Sequence, residues 1–214
     1  LTQLPHKDSD TLMVCHQSEG VRSLTKQEFT EQVARLLPTL AEFDAQGVAY
    51  QLDNTPAWCV LEAALSELQR VAIPLPTFFT AQQIAFGLQN SGAGLFVCDR
   101  AYEGEHAKLV ALVDVCKHYP LYVYQLSNTQ FVPYFANTQK ITFTSGSTGT
   151  PKGVCLSLES QMQVATSLYQ SIGLEKPNHL CLLPLPVLLE NLAGVYAPLL
   201  AGGTVNLVPL AELG

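Results

Sequence analysis

Charge is scarce in this chain of 214 residues: Asp, Glu, Lys and Arg supply 14% of it, against roughly 25% in ordinary soluble domains. Apolar residues reach 48%, so part of the surface is expected to lie against a further piece of structure. The net charge of −7 removes the basic footprint of a nucleic-acid binder, and no nucleic-acid partner is expected. An anionic ligand would need positive potential concentrated at one place. The six cysteines, at positions 15, 59, 98, 116, 155 and 181, contain no C-x-x-C pair, which argues against a zinc module or a redox dithiol and for reduced, mostly buried thiols. Cys116 and His118 could share a metal, but no second pair stands beside them; no metal site is assigned there, nor at His6, His16, His106 or His179. A basic segment followed by an apolar one is missing from the start, so no secretory signal is read and the cytoplasm is expected. The most apolar stretch, 180–210, is cut by Pro184, Pro186, Pro198 and Pro209 into pieces shorter than the roughly 20 residues of a spanning helix. It predicts a buried strand-helix-strand unit and no membrane span.

What is present is an alternation of short apolar strands and amphipathic helices. Thr25 and Glu28 have capping-box spacing, and Phe29, Val33, Leu36, Leu37 and Leu40 then recur on one helical face. Gly47 to Leu52 reads as a strand, Thr55-Pro56 opens a helix to about Leu68, and Val71 to Leu75 is the next strand. Thr80 and Gln83 repeat the capping-box spacing before a helix that stops near Ser91-Gly92, followed by a strand from Gly94 to Cys98. Strands apolar throughout, separated by helices, predict an α/β fold: a mostly parallel sheet with helices on both faces. Ala107 to Val115 is read as a helix, Leu121 to Leu126 as a strand and 128–139 as a connection. Strands are then expected at Lys140 to Thr144, Gly153 to Leu158, Leu180 to Leu183 and Thr204 to Val208, with helices over Leu158 to Ser171 and Val187 to Ala201. Gly202-Gly203 supplies the left-handed backbone of a helix stop.

Between two of these strands runs T-F-T-S-G-S-T-G-T-P-K-G-V, residues 142–154, which has one lysine and no acidic side chain. Glycines at 146, 149 and 153 allow backbone amides to converge, and such nests bind anions, phosphate above all. Thr144, Ser145, Ser147, Thr148 and Thr150 add hydroxyl donors, and Lys152 a compact movable charge. The segment is not a Walker A loop, because Pro151 precedes the lysine and Gly153 follows it. On composition alone, phosphate binding and a plain surface turn remain about equally open.

The ordered string T-S-G-S-T-G-T-P-K-G closely resembles the phosphate-binding signature of the adenylate-forming (AMP-binding) superfamily, which includes acyl-CoA synthetases, adenylation domains and firefly luciferase. Leu24 to Phe29, Ala72 to Pro76, Leu183 to Asn191 and Gly202-Gly203-Thr204 resemble other elements of that family in the same order. The resemblance implies a reaction in which a carboxylate attacks the α-phosphate of Mg-ATP, pyrophosphate leaves, and a thiol, most often coenzyme A, takes the acyl group. It implies that Thr144, Ser145, Gly146, Ser147, Thr148 and Gly149 wrap the β- and γ-phosphates and that Lys152 stabilises charge on the departing pyrophosphate. Val187 stands where many members carry a histidine or large aromatic beside the acyl and thiol channels, which leaves more room and no polar handle; the surrounding residues look more like the fatty-acyl than the amino-acid branch.

The family's later elements are a glutamate that holds Mg2+, an aspartate on the ribose, a hinge and a mobile C-terminal domain with a catalytic lysine. None has a counterpart in residues 1–214. The chain is therefore expected to be the N-terminal part of the large AMP-binding domain, with 1–127 as a first βα subdomain and 128–214 as the phosphate-loop region and the start of a second. The Mg2+ ligand and the partner domain are expected outside it, and the chain alone is expected to be inactive. A non-catalytic nucleotide-binding module is the alternative.

Overall fold

The computed structural model describes residues 4–127, 132–144, 152–173 and 175–213. Strands β1 (Thr11–Gln17) and β2 (Gly20–Thr25) form a hairpin that feeds helix α1 (Lys26–Ala41). Then β3 (Gly47–Gln51), α2 (Pro56–Glu67), β4 (Val71–Pro74), α3 (Ala81–Asn90) and β5 (Ala93–Cys98) alternate. Two further hairpins follow, β6 (Ala107–Val115) with β7 (Tyr119–Leu126), and β8 (Thr138–Thr144) with β9 (Lys152–Ser157). Helix α4 (Leu158–Ile172), β10 (Asn178–Cys181), a π-helix (Glu190–Tyr196), α5 (Ala197–Leu200) and β11 (Thr204–Leu207) complete the main elements.

Seven strands form one sheet in the order β6-β7-β5-β3-β4-β8-β9. Its centre, β5-β3-β4-β8, is parallel, and antiparallel pairs flank it on both sides. Four strands form a second sheet in the order β10-β11-β1-β2, with β11 parallel to both of its neighbours. Alternation along β3 shows how the core is divided. Val48 and Tyr50 point into the larger apolar cluster with α1 and α2, whereas Ala49 points into a smaller one with Leu88 of α3. Helices thus cover both faces of the large sheet, as the apolar strands require.

Local chemistry sets the helix starts. Both capping boxes form: the Thr25 amide donates to Glu28 Oε2 at 2.8 Å, and the Thr80 amide to Gln83 Oε1 at 2.9 Å, each answered by the reciprocal bond to the threonine hydroxyl. At α2, Pro56 occupies the first turn without any side-chain cap from Thr55. That helix is buried from Pro56 to Leu65 and touches β4 of the large sheet and β1 of the small one. A helix enclosed in this way reads as apolar all round rather than striped.

Two expectations are corrected. Ala107–Val115 is a strand, not a helix, paired along its length with β7. The turn that joins them places Cys116 and Lys117 at φ 55° and 62°, with the His118 amide donating to the Val115 carbonyl at 3.2 Å. Turns of that kind are usually announced by Asn or Gly, and here neither is present. The expected helix over Val187 to Ala201 is present from Leu188 to Leu200, but seven of its residues, Glu190–Tyr196, are π-wound instead of α-helical. Pro198 has no N–H to give the Gly194 carbonyl, so α-helical bonding cannot continue through that position, and the carbonyl instead receives the Cys181 thiol at 3.5 Å.

Candidate functional site

Strands β8 and β9 bring the two ends of the predicted phosphate loop together. Thr144 and Lys152 are directly paired across the hairpin, and the Thr144 hydroxyl donates to the Lys152 carbonyl at 3.4 Å. Both residues are exposed. Ser145, Gly146, Ser147, Thr148 and Gly149 lie outside the described residues. Gly153 serves a different purpose from the one expected of it. It sits in β9 without a positive φ, and a Cβ there would come within 2.9 Å of Ile141 Cγ2. Its missing side chain lets the hairpin close over Ile141.

Four residues before Thr144 on the same strand, Lys140 is 3% exposed. Its ammonium meets Glu62 Oε1 of α2 at 2.5 Å and the Asn191 side-chain carbonyl of the π-helix at 2.5 Å. Tyr50 donates to Glu62 Oε1 at 2.6 Å, and Tyr196 and Asn191 donate to Oε2 at 2.8 and 3.3 Å. The Lys140 ammonium also lies 5.2 Å from the Tyr196 ring centre and 5.6 Å from that of Trp58. Burial, and then the Glu62 charge, hold both tyrosine hydroxyls well above the ordinary tyrosine range, so they remain donors. A buried carboxylate and ammonium are tolerable only when both are paired and their remaining hydrogen-bonding capacity is met, and these partners do that. The network ties β3, α2, β8 and the π-helix together directly behind the strand that enters the loop.

Val187, the predicted channel residue, is half-buried in the segment between β10 and the π-helix. Its amide donates to the Pro184 carbonyl at 2.9 Å, and its carbonyl accepts from the Asn191 amide at 3.1 Å. Fully buried Asn54 clamps the same segment: its amide nitrogen donates to the Leu183 carbonyl at 2.9 Å, and its oxygen accepts from the Leu185 amide at 2.9 Å. Asn191 therefore links the Val187 segment to the Lys140 network, although no described contact joins Val187 itself to Thr144 or Lys152.

Sequence reasoning missed Glu62, Lys140, Asn191 and Asn54. A signal for Glu62 was available, since it is the lone acid in the apolar run W-C-V-L-E-A-A-L, which suggests a charge that must be paired inside. Nothing local identified Lys140 as its partner. The cysteines agree with the reading made of them: all six are free, with Cys15, Cys59, Cys98 and Cys181 buried, Cys116 half-buried and Cys155 exposed.

The family described as AMP-binding enzyme matches residues 5–213. Crotonobetaine/carnitine–CoA ligase of Escherichia coli is 26% identical over 170 residues, which cover 68% of this chain and 33% of that protein. Among solved structures, O-succinylbenzoate coenzyme A synthetase (MenE) from Bacillus subtilis in complex with ATP and magnesium ion superposes with a TM-score of 0.72 at 22% identity, covering 95% of this chain and 54% of that one. The N-terminal subdomain of Klebsiella oxytoca NpsA in complex with 3-hydroxyanthranilyl-AMSN gives a TM-score of 0.66 at 18% identity, covering 94% and 49%. The chain thus spans about a third of the curated relative and about half of each solved one. With the loop signature seated between two paired strands and the match running from residue 5 to residue 213, the chain belongs to the AMP-binding enzyme family.

Proposed function

We propose that this chain supplies the ATP-phosphate-binding part of a ligase that activates a carboxylic acid as an acyl-adenylate and then transfers the acyl group to a thiol, coenzyme A first among the candidates. The observation that carries this reading is the T-S-G-S-T-G-T-P-K-G string in a family member, with Thr144 and Lys152 paired at its two ends. Thr144, Ser145, Gly146, Ser147, Thr148 and Gly149 would hold the β- and γ-phosphates through hydroxyls and backbone amides. Lys152, exposed at the start of β9, would place its ammonium against charge that develops on departing pyrophosphate. Such catalysis rests on positioning and electrostatics, and needs no covalent intermediate with the protein. Mg2+ fits beside this site only as a companion of the triphosphate, because residues 142–154 offer hydroxyls but no carboxylate; its acidic ligand is expected elsewhere in the whole enzyme.

The acid is proposed to be fatty or aromatic, since Leu188-Leu189-Glu190-Asn191 followed by Gly194 and Ala197-Pro198-Leu199 looks more like the fatty-acyl than the amino-acid branch, and Val187 would bring no polar handle. The ribose- and metal-binding groups, hinge and C-terminal domain are partners this chain would need, and the division at residues 127 and 128 marks where its phosphate-loop region would begin. No helix among the described residues is long and apolar enough to cross a membrane, and a cytoplasmic setting is the proposed one. Carboxylate-dependent exchange of labelled pyrophosphate into ATP tests the reading, with fatty, aromatic and amino acids as candidates. Exchange by the protein extended through the remaining family elements, with none by residues 1–214, is the expected result. Silence from both while ATP still binds would replace the ligase with a non-catalytic nucleotide-binding module.

A further inference from the structure

The edge strand β10 of the small sheet carries a second chemical cluster, unrelated to the proposed phosphate loop. His179 and Cys181 are alternate residues of β10 and so project to one side of it, toward Glu190 at the start of the π-helix. His179 Nε2 lies 3.3 Å from Glu190 Oε1, and the donor atoms of all three residues fall within 4.8 Å of one another. Among the described residues, no other group of three or more His, Cys, Asp and Glu side chains converges in this way. Glu190 is 8% exposed, and its only ion-pair partner among the described residues is His179. Gly194, one turn on, leaves the space they occupy: a Cβ there would stand 2.5 Å from Glu190 Oε1 and 3.0 Å from His179 Nε2.

The geometry points to a binding site for a borderline transition-metal ion, Zn2+ by preference, ligated by His179, Cys181 and Glu190. One sulfur, one imidazole nitrogen and one carboxylate suit zinc, and they are the wrong set for Mg2+, which takes oxygen throughout. Bond lengths of about 2.0–2.3 Å place tetrahedral zinc ligands roughly 3.3–3.6 Å apart. The histidine–glutamate pair already has that separation. Cys181 must close by about 1 Å relative to the widest spacing, a side-chain rotation that takes its sulfur off the Gly194 carbonyl. On binding, the S–H bond breaks, a sulfur–zinc bond forms and the proton passes to solvent; thiolate and carboxylate then balance the two charges of the ion. The imidazole side is 37% exposed, which gives the ion an entry path and leaves the fourth position to water.

The consequence is mechanical. β10 ends at Cys181 and Glu190 lies in the first turn of the helix that starts at Leu188, so the ion clips together the base of the loop 182–187, which carries Val187. Ordering that loop by a cross-link at its ends stabilises it without a new apolar contact.

Metal-stripped protein, without nucleotide, would be titrated with Zn2+ against a chromophoric chelator. One zinc per chain is expected, with an upward melting shift of roughly 5–10 °C at a hundredfold excess over Kd. Cys181→Ser and His179→Gln should each weaken binding beyond the roughly 10- to 100-fold that changes around a ligand shell cost, while Cys155→Ser, at an exposed thiol, keeps it. Co2+ in place of zinc should show a thiolate charge-transfer band that Cys181→Ser abolishes. If Cys181→Ser fails to fold, the half-exposed His179→Gln together with the wild-type cobalt spectrum still decides the question. Less than one zinc per chain, binding retained by His179→Gln, or a cobalt complex without the thiolate band would overturn the assignment.

Discussion

Glu62 of α2 and Lys140 of β8, 78 positions apart in the chain, meet at 2.5 Å in the interior, with side chains 2% and 4% exposed. Their contact carries the strand leading to the proposed phosphate loop against the helix at the centre of the fold. Removing one member leaves a bare buried charge, which costs about 3–5 kcal/mol. Lys140→Met should therefore lower stability by about that amount. Adding Glu62→Gln to Lys140→Met should recover part of the loss, because a neutral amide no longer requires a cation, and its oxygen can accept from one of Tyr50 and Tyr196 while its NH2 donates to the hydroxyl oxygen of the other. Urea denaturation checks this, and a double variant no more stable than Lys140→Met would show that the charge is not the source of the loss.

Lys152→Ala is expected to fold normally, since the side chain is exposed at the start of β9. Calorimetric titration should show ATP binding weakened roughly 10- to 100-fold, the range for loss of a charge-assisted contact, and AMP binding weakened much less. Equal losses for the two nucleotides would remove Lys152 from the β- and γ-phosphates.

Asn54 completes two backbone groups at once, the Leu183 carbonyl and the Leu185 amide. Asn54→Ala leaves the buried amide of Leu185 without that partner, at a cost of about 1–3 kcal/mol. Hydrogen exchange should accelerate across 183–189 more than in β3 or β5, since the clamp acts on that segment alone. A uniform increase over the whole chain would instead mean global destabilisation.

Alkaline solution should destabilise the fold. Burial pushes the Cys98 and Cys116 thiols up to about 12 from an ordinary value of 9.0. Between those limits the unfolded chain has released protons that the folded chain still binds. The stability these groups contribute is thus complete below about pH 9 and is lost as pH rises toward 12. Cys98 is 2% exposed and should account for up to about 1.4 kcal/mol per pH unit in that window. Cys98→Ala should flatten the pH dependence of the denaturation midpoint by that slope, and an unchanged slope would assign the alkaline loss to other groups.

How far each of these features could be foreseen depended on how local its cause was. Capping boxes at Thr25 and Thr80, the left-handed stop at Gly202 with φ 75°, and the apolar strands β3, β4 and β5 follow from neighbours a few residues apart, and all were legible. Ala107–Val115 was misread because a short apolar run suits helix and strand equally, and the turn after it lacks the residues that usually mark one. The hairpin β1–β2 stands in a sheet only because β11, nearly two hundred residues later, pairs with β1.

The candidate site divides in the same way. The order of residues from Thr144 to Gly153 pointed, by itself, to the family and to the anion-binding role proposed for the loop, because a phosphate nest is built from consecutive amides, hydroxyls and one nearby lysine. Only the tertiary structure decided that Lys140 answers Glu62, that Asn54 holds the Val187 segment, and that His179, Cys181 and Glu190 converge. Those partners come from different elements, and a charge or donor inside an apolar helix or strand announces that it needs a partner without saying which one; sheet order and helix packing make that choice.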